Sequence, residues 1–351
     1  MKRFALLCMI GLMAASLVAP ASTQAAPRGA VTNGRILFTH CEDGSGCQIY
    51  TANPNGSAIE QVTSGGDSMQ GDWSPNAKRI AYVSFASGDA AIWVVGADGS
   101  NPTQLTPDDP NSDDFWPRFT PDGDWILFTN CAGSDCDGGI FAVHPNGSQM
   151  HPITPNSHDS YNIADMSPDG TRLAYMRWHV GGVKMAVYVS RADGTGQRRV
   201  TPPRLQGWWP DWAPDATRIV FTDEVFWDRP APSLWTVRPD GGGLRPLTEP
   251  PYLHSDYRAA YAPNGRTVIF ESDRRYDDFC CSDLFTVPAG GGDVHRVRLP
   301  FDAYEVQWGT APTMSSPVID TRPMRSTGEG GSPCDRIDAL SGLAPCAGAE
   351  G

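Results

Sequence analysis

The feature that most constrains this chain is a phrase of ten residues that occurs five times at a regular spacing. Each copy has a bulky apolar residue, then a Pro-Asp or Pro-Asn turn, then an alternating apolar segment. The copies are WSPNAKRIAY (73–82), FTPDGDWILF (119–128), MSPDGTRLAY (166–175), WAPDATRIVF (212–221) and YAPNGRTVIF (261–270). Their prolines are 46, 47, 46 and 49 residues apart. A period of this length without a helical pattern is typical of the blades of a β-propeller.

A second phrase fills the other half of each period. An aliphatic residue and an aromatic residue precede an Asp-Gly, Asn-Gly or Gly-Gly turn, and five of the six copies end on threonine. The copies occupy residues 49–63, 92–106, 140–154, 187–201, 234–248 and 284–298. Because such turns join neighbouring antiparallel strands, each full period predicts four strands.

The two phrases differ in number, which predicts how the ring closes. Six copies of the second phrase accompany five of the first, so one blade is divided between the two ends of the chain. Residues 33–40 predict the second strand of the first blade, and the C-terminal strand 304–309 predicts its inner strand. We therefore expect an all-β fold, a six-bladed propeller of four-stranded blades over residues 26–310, whose ring leaves no exposed strand edge between blades.

Both ends of the chain differ in composition from the repeats. Residues 1–25 predict a signal peptide: Lys2 and Arg3 precede an apolar segment, and small residues follow, with cleavage expected after Ala25 or Ala26. An uncleaved membrane anchor is the alternative. Residues 311–351 are rich in proline, glycine and serine and predict a flexible tail. We expect a secreted protein, extracellular or periplasmic, without a stable membrane span.

The charge of the chain argues against a nucleic-acid partner. Its formal net charge is −13, and cleavage after residue 25 would remove two positive charges and no acid, giving −15. An anionic surface without a basic stripe repels a phosphate backbone. We expect no nucleic-acid binding.

Eight of the nine cysteines follow the predicted signal peptide, an even number. They lack the C-x-x-C spacing and partnering histidines of a zinc site, whereas an oxidising compartment favours disulfides. The predicted pairs are Cys41–Cys47, Cys131–Cys136 and Cys334–Cys346. Cys280 and Cys281 are adjacent, and a vicinal disulfide, two separate partners and free thiols are all alternatives there.

The alternation of W/F-S/T/A-P-D/N-G with I-W/Y-x-x-x-x-D/N-G and a closing L/V-T resembles the TolB-type propeller, a WD-like repeat of bacterial envelope proteins. The resemblance covers residues 33–309. It implies the propeller fold and says little about function, because the matching residues form turns and the core. TolB has an additional N-terminal α/β domain, which we expect to be missing here.

Neither a hydrolase nor a metal site is indicated by the residues. A serine hydrolase would need a G-x-S-x-G motif and a following α/β domain, and the seven histidines are scattered singly over the blades. Residues 107–114 and 133–139 contain carboxylates that could bind calcium, but neither segment matches a full calcium loop. We expect no cofactor, with calcium as the alternative.

The positions just before each inner strand vary from blade to blade, whereas core positions repeat. Propeller geometry places them around one opening of the central channel, where varied polar and aromatic side chains indicate a binding surface. Six residues before the turn proline, or in the equivalent place, are Met69, Phe115, Asn162, Trp208, Tyr257 and Tyr304. Beside them are Asp67, Asp114, Tyr161, Trp209, Asp256, Arg258 and Glu305.

These observations lead to two functional hypotheses. The first is a secreted, non-catalytic, monomeric propeller that binds a protein, or an extracellular small molecule or glycan, at the channel mouth. The alternative is a secreted propeller enzyme of the lyase or lactonase type with a metal ion in the central channel.

Overall fold

The computed structural model describes residues 32–42, 44–132, 138–154, 159–179, 185–223, 231–276 and 281–311. The predicted signal peptide and all but the first residue of the predicted tail lie outside these ranges. Within them the chain forms strands and turns. None of the described residues belongs to a helix that is long and apolar enough to cross a membrane.

The strands follow the two repeated phrases closely. The first three blades in chain order contain β1 (Asn33–Glu42), β2 (Gly46–Ala52), β3 (Glu60–Gln61), β4 (Ser68–Trp73), β5 (Arg79–Ser84), β6 (Ala91–Gly96), β7 (Thr103–Gln104), β8 (Ser112–Phe119), β9 (Ile126–Ala132), β10 (Gly139–Val143) and β11 (His151–Pro152). The rest are β12 (Asp159–Met166), β13 (Arg172–His179), β14 (Ala186–Arg191), β15 (Arg198–Arg199), β16 (Gly207–Trp212), β17 (Ile219–Asp223), β18 (Ser233–Val237), β19 (Arg245–Pro246), β20 (Asp256–Tyr261), β21 (Thr267–Ser272), β22 (Asp283–Pro288), β23 (His295–Arg296) and β24 (Tyr304–Thr310).

The described strands form six antiparallel sheets of four strands each. Blades 2 to 6 take their strands in chain order, from β4–β7 to β20–β23. Blade 1 has the order β24-β1-β2-β3, so the last strand supplies its inner edge. β24 also packs against β20 and β21 of blade 6 and against β4 of blade 2. The predicted six-bladed propeller, closed by the C-terminal strand, is confirmed.

Each blade is filled by an aromatic pair on its second and third strands. The two rings stand directly opposite each other in the ladder, where side chains of neighbouring strands interact most strongly. Every second-strand ring is at most 4% exposed. The pairs are Phe38–Tyr50, Tyr82–Trp93, Phe128–Phe141, Tyr175–Tyr188, Phe221–Trp235 and Phe270–Phe285.

The threonine that closes the second phrase joins the fourth strand to the third. Its hydroxyl oxygen accepts a hydrogen bond from the backbone N–H at the aliphatic position of the third strand. The bonds run from Ile49 to Thr63, Ile92 to Thr106, Ile140 to Thr154, Val187 to Thr201 and Leu234 to Thr248, at 2.9–3.2 Å. The threonine of each of these repeats therefore acts as a structural clamp between the third and fourth strands. This role explains why threonine recurs at that position.

The Cys41–Cys47 disulfide is confirmed, and it joins β1 to β2 at directly opposed positions. Cys131, at the end of β9, is also disulfide-bonded. Cys136, Cys280, Cys334 and Cys346 lie outside the described residues. The pairings that involve them stay predictions.

Candidate functional site in the central channel

Each inner strand contains a β-bulge at one equivalent position. At every bulge one residue adopts the left-handed backbone conformation, with φ between 46° and 56°. That conformation costs a residue other than glycine about 1–2 kcal/mol, and such strain is concentrated at functional sites. We call these residues the bulge row: Gln70, Trp116, Ile163, Trp209, Arg258 and Glu305.

For five of the six bulge residues, all but Trp209, an acceptor on the preceding blade takes the backbone N–H. Ile163 donates to the hydroxyl of Thr129 at 3.1 Å, and Arg258 donates to the hydroxyl of Thr222 at 3.2 Å. Both threonines lie on second strands. A bulge N–H cannot bond within its own ladder, so an acceptor from the neighbouring blade compensates for it.

On one side of the channel these acceptors form a polar chain. The backbone N–H of Glu305 donates to the Glu271 carboxylate. The Glu305 carboxylate accepts the Thr39 hydroxyl at 2.9 Å and the Gln70 backbone N–H at 2.8 Å. The side-chain oxygen of Gln70 accepts the Trp116 backbone N–H at 2.8 Å. Four blades are thereby linked by buried side chains at the level of the bulge row.

Arg258 is the positively charged residue of the bulge row, and its side chain is almost fully buried. Its guanidinium lies over the Trp209 ring, 4.8 Å from the centroid, which is cation–π geometry. Its Nη1 is 3.5 Å from Glu271 Oε2 and 4.0 Å from Glu305 Oε1. Burial raises the pKa of Glu271 to about 7, against the opposing charge of Arg258 and with a further contribution from Glu305. Glu271 therefore exchanges its proton near neutral pH.

The bulge row surrounds a cavity of about 40 Å³, which is room for roughly three water molecules. Polar side chains line it on blades 1, 2, 3 and 6, and indole rings line it on blades 3 and 5. Five of the six bulge residues line it. The lining residues are Gln70, Gly71, Trp116, Pro117, Arg118, Trp209, Arg258, Ala259, Glu305, Val306 and Gln307.

Arg118, which also lines the cavity, lies among inner-strand carboxylates. Its Nη1 is 3.3 Å from Asp72 Oδ1. Burial raises the pKa of Asp165, which the charge of Arg118 opposes. Burial also raises the pKa of Asp211, and the neighbouring charge of Asp165 adds to the effect. A single guanidinium thus balances several buried acids.

The same carboxylates fasten consecutive blades. In each case an aspartate oxygen accepts the backbone N–H of the aromatic residue that precedes the next blade's turn. The bonds are Phe119 to Asp72 at 2.7 Å, Trp212 to Asp165 at 2.7 Å and Tyr261 to Asp211 at 2.8 Å. These three aspartates therefore have a structural role, which is to join neighbouring blades.

Of the residues predicted at the channel mouth, Trp209, Arg258 and Glu305 line the cavity. Four others lie buried among the hydrophobic side chains of the blades: Phe115, Tyr161, Trp208 and Tyr304. Phe115, Trp208 and Tyr304 belong to the column six residues before the turn and are packed inside the protein, whereas five of the six residues in the next column line the cavity.

The remaining predicted residues are engaged in contacts at the starts of the inner strands. Asp67 accepts the Cys47 N–H at 2.8 Å, and Asp256 accepts two bonds from Arg274. The Tyr257 hydroxyl donates to Asp273 at 3.2 Å.

Asp114 accepts the Asn130 amide at 2.8 Å, and burial raises its pKa to about 6. Sequence reasoning missed Gln70, Trp116, Arg118 and Gln307. The variability of the column five residues before the turn could have revealed the first two.

The candidate calcium segments are described only in part, and calcium binding there stays untested. Asp109 accepts bonds from Asn111, and Asp113 accepts the Ala90 N–H, while residues 133–137 lie outside the described ranges. Among the described residues, no group of three or more histidines, cysteines or carboxylates is arranged to hold a metal ion.

Comparisons with known proteins agree with the fold. Residues 68–252 match the TolB beta propeller domain family. An uncharacterized protein of Agrobacterium fabrum is 26% identical over 139 residues, which cover 37% of this chain and 47% of that protein. The matched region thus spans about half of that relative.

Solved structures show the same architecture at low identity. TolB from Acinetobacter baumannii has a TM-score of 0.63 and 19% identity, and the alignment covers 79% of this chain and 66% of that chain. An oligogalacturonate lyase in complex with manganese has a TM-score of 0.51 and 13% identity, covering 77% of this chain and 74% of that chain. At these identities the likeness shows the fold alone.

Proposed function

Because the chain belongs to the TolB beta propeller domain family, we propose that it is a secreted, non-catalytic propeller that binds a protein segment or another extracellular ligand at its channel mouth. The bulge row is the observation that carries this proposal. Six residues share one strained backbone conformation and five of them line one cavity, yet the six comprise an amide, two indoles, an aliphatic chain, a guanidinium and a carboxylate.

Strain and diversity together support a binding role over a structural one. Glycine would adopt the left-handed conformation without cost, but every blade has a larger side chain there. A position selected by packing alone would converge on one chemistry, as the paired aromatic positions do. The bulge row therefore retains costly side chains that differ from blade to blade.

The size of the cavity favours the tip of a narrow ligand. Pockets that enclose drug-sized molecules have volumes of about 300–1,000 Å³, whereas this cavity has about 40 Å³. The end of a protein segment, or one of its side chains, matches such a space. Aromatic and arginine side chains are also enriched where proteins bind proteins.

A pull-down from the extracellular fraction tests the proposal. We expect wild-type protein to recover a partner and Trp116→Ala to lose it by tenfold or more in recovered amount, on the order of a binding hot spot. Trp125→Ala is the matched control, since Trp125 is another half-buried tryptophan but stacks on His144 and does not line the cavity. Equal recovery by wild type and Trp116→Ala would reject the proposal that the partner binds at the channel mouth.

Export is tested separately by N-terminal sequencing of the protein from the extracellular or periplasmic fraction, where cleavage after Ala25 or Ala26 is expected. For the enzyme alternative, a lyase or lactonase activity that a chelator abolishes and a divalent ion restores would replace the non-catalytic proposal.

A further inference from the structure

The cavity wall is rich in hydrogen-bond donors and poor in acceptors. Among the described lining residues, Glu305 is the single carboxylate, and one of its oxygens already accepts two hydrogen bonds. The donors belong to the guanidinium groups of Arg118 and Arg258, the side-chain amides of Gln70 and Gln307, and the indole rings of Trp116 and Trp209.

Two of these donors are buried without an acceptor. Gln70 is 5% exposed and Trp209 is 6% exposed. Gln70 Nε2 and Trp209 Nε1 make no hydrogen bond to any residue that the structure describes. Burying such a donor costs about 1–3 kcal/mol unless something accepts its bond. Both residues border the same cavity.

We propose that the cavity binds a carboxylate group, to which Trp209 and Gln70 donate N–H bonds while Arg258 supplies the opposite charge. The inference rests on the proposed function, because the group enters through the same channel mouth. A carboxylate has three heavy atoms and matches a space for roughly three waters. Hydrogen bonds to an ionised acceptor are also stronger than those to a neutral one.

A cationic ligand fits the same space poorly. It would lie beside Arg258 and Arg118 and would leave the two N–H groups without acceptors. Glu305, the acid of the wall, already faces Arg258 at 4.0 Å and accepts two hydrogen bonds. Asp72, Asp165 and Asp211 accept backbone N–H groups of the next blade. None of these three acids is among the residues that line the cavity.

Proton and nitrogen NMR of the full-length protein tests the inference with formate, the smallest carboxylate. We expect formate to shift the Trp209 indole N–H in a saturable manner, whereas methylammonium, of similar size and opposite charge, leaves it unchanged. Trp209→Phe assigns the signal and keeps a ring beneath Arg258. It should weaken formate binding by about tenfold or more, the fold-change of one charge-assisted hydrogen bond.

Trp208→Phe is the matched control for this experiment. Trp208 is the neighbouring tryptophan, and its indole nitrogen is also buried without a described acceptor, but it does not line the cavity. Its replacement should leave formate affinity within about twofold of wild type. No saturable shift with formate, a shift with methylammonium instead, or equal losses in both variants would each overturn the inference.

Peptide arms distinguish the source of the carboxylate and separate this inference from the proposed function. Binding by a free-acid peptide but not by its C-terminal amide indicates a chain terminus. Binding by an amidated peptide with an internal aspartate indicates an acidic side chain, and binding by formate alone indicates a small organic acid. If neutral amidated peptides bind equally well and Trp116→Ala abolishes binding, the channel-mouth function stands and the carboxylate inference fails.

Discussion

On the second strands of the blades, Phe38, Phe128 and Phe221 are alike in chemistry and burial. On the inner strands, the bulge residues share a backbone conformation and little else. The aromatic positions are enclosed by protein on every side, so packing selects one kind of side chain. The bulge row borders a cavity, so close packing does not determine which side chain occupies each of its positions. A repeat protein thus separates the positions that make the fold from those that can carry function.

The largest expected effect tests this separation directly. Phe128→Ala should lower the free energy of unfolding by about 3–5 kcal/mol, because it leaves a cavity inside a packed blade. Trp116→Ala removes a larger side chain but next to existing space, and we expect less than half of that loss. Urea denaturation monitored by circular dichroism measures both. Equal losses would show that the bulge row is selected by packing after all.

The second prediction concerns the pH dependence that distinguishes the channel. The pKa of Glu271 is raised from 4.5 to about 7, chiefly by burial, so the folded state holds this proton more tightly than the unfolded state does. Its contribution to stability is therefore complete below about pH 4.5 and is lost as the pH rises to 7. Glu271→Gln should remove about 3 kcal/mol of that decline.

Free energies of unfolding measured at several pH values between 4 and 8 check this prediction. Glutamine retains an acceptor for the Glu305 N–H but also removes the charge 3.5 Å from Arg258, so the comparison is made between pH slopes and not between absolute free energies. Glu249→Gln, an exposed position, is the control and should reproduce the wild-type slope. An unchanged slope in Glu271→Gln would show that Glu271 titrates as in the unfolded chain.

A smaller effect is expected at the threonine clamp. Thr201→Val keeps the shape of the side chain but leaves the buried Val187 N–H without the hydroxyl that accepts it at 3.2 Å. We expect a loss of about 1–2 kcal/mol in the free energy of unfolding. Thr103→Val, at an exposed hydroxyl, should change it by less than about 0.5 kcal/mol. Similar losses of unfolding free energy for the two variants would show that the threonine clamp does not stabilise the fold.

The smallest effects are expected in the Pro-Asp/Asn turns. Gly170 has φ +72°, and an added Cβ would meet nothing within 4 Å, so Gly170→Ala should cost about 1 kcal/mol through backbone strain alone. Ala216 holds the equivalent place in blade 5 with φ 58°, and Ala216→Gly should gain about 0.5 kcal/mol. Thermal unfolding of both variants checks the opposite signs. Shifts of the unfolding temperature in the same direction for both variants would show that backbone strain does not decide stability at these two positions.

The blade architecture could be predicted because its signals are local. Turn residues mark where each strand ends, and alternation marks which side chains face inward. The unequal number of the two phrases even predicted that residues 304–309 complete the first blade, as β24 does. The Cys41–Cys47 pair followed from its position in a short hairpin loop and is present.

The channel residues were harder to predict, because the β-bulge breaks the alternation. A bulge places two residues opposite one, so counting by twos from the turn assigns the wrong face beyond it. Trp208 was expected at the mouth and is packed among blade side chains, whereas Gln70 was not expected there and lines the cavity. The local sequence pattern does not predict the bulge, because none of the six residues is a glycine that would mark the left-handed backbone conformation.

By itself the sequence determined the all-β class and the six blades, because each depends on interactions within about fifty residues. It also determined the closing strand, because the two phrases differ in number. Only the tertiary structure decided which side chains meet around the channel. Gln70 and Glu305 are 235 residues apart and hydrogen-bonded, and Glu271 and Glu305 are joined across the boundary between blades 6 and 1. Closing the ring creates those contacts. Their chemistry depends on neighbours that no repeat specifies.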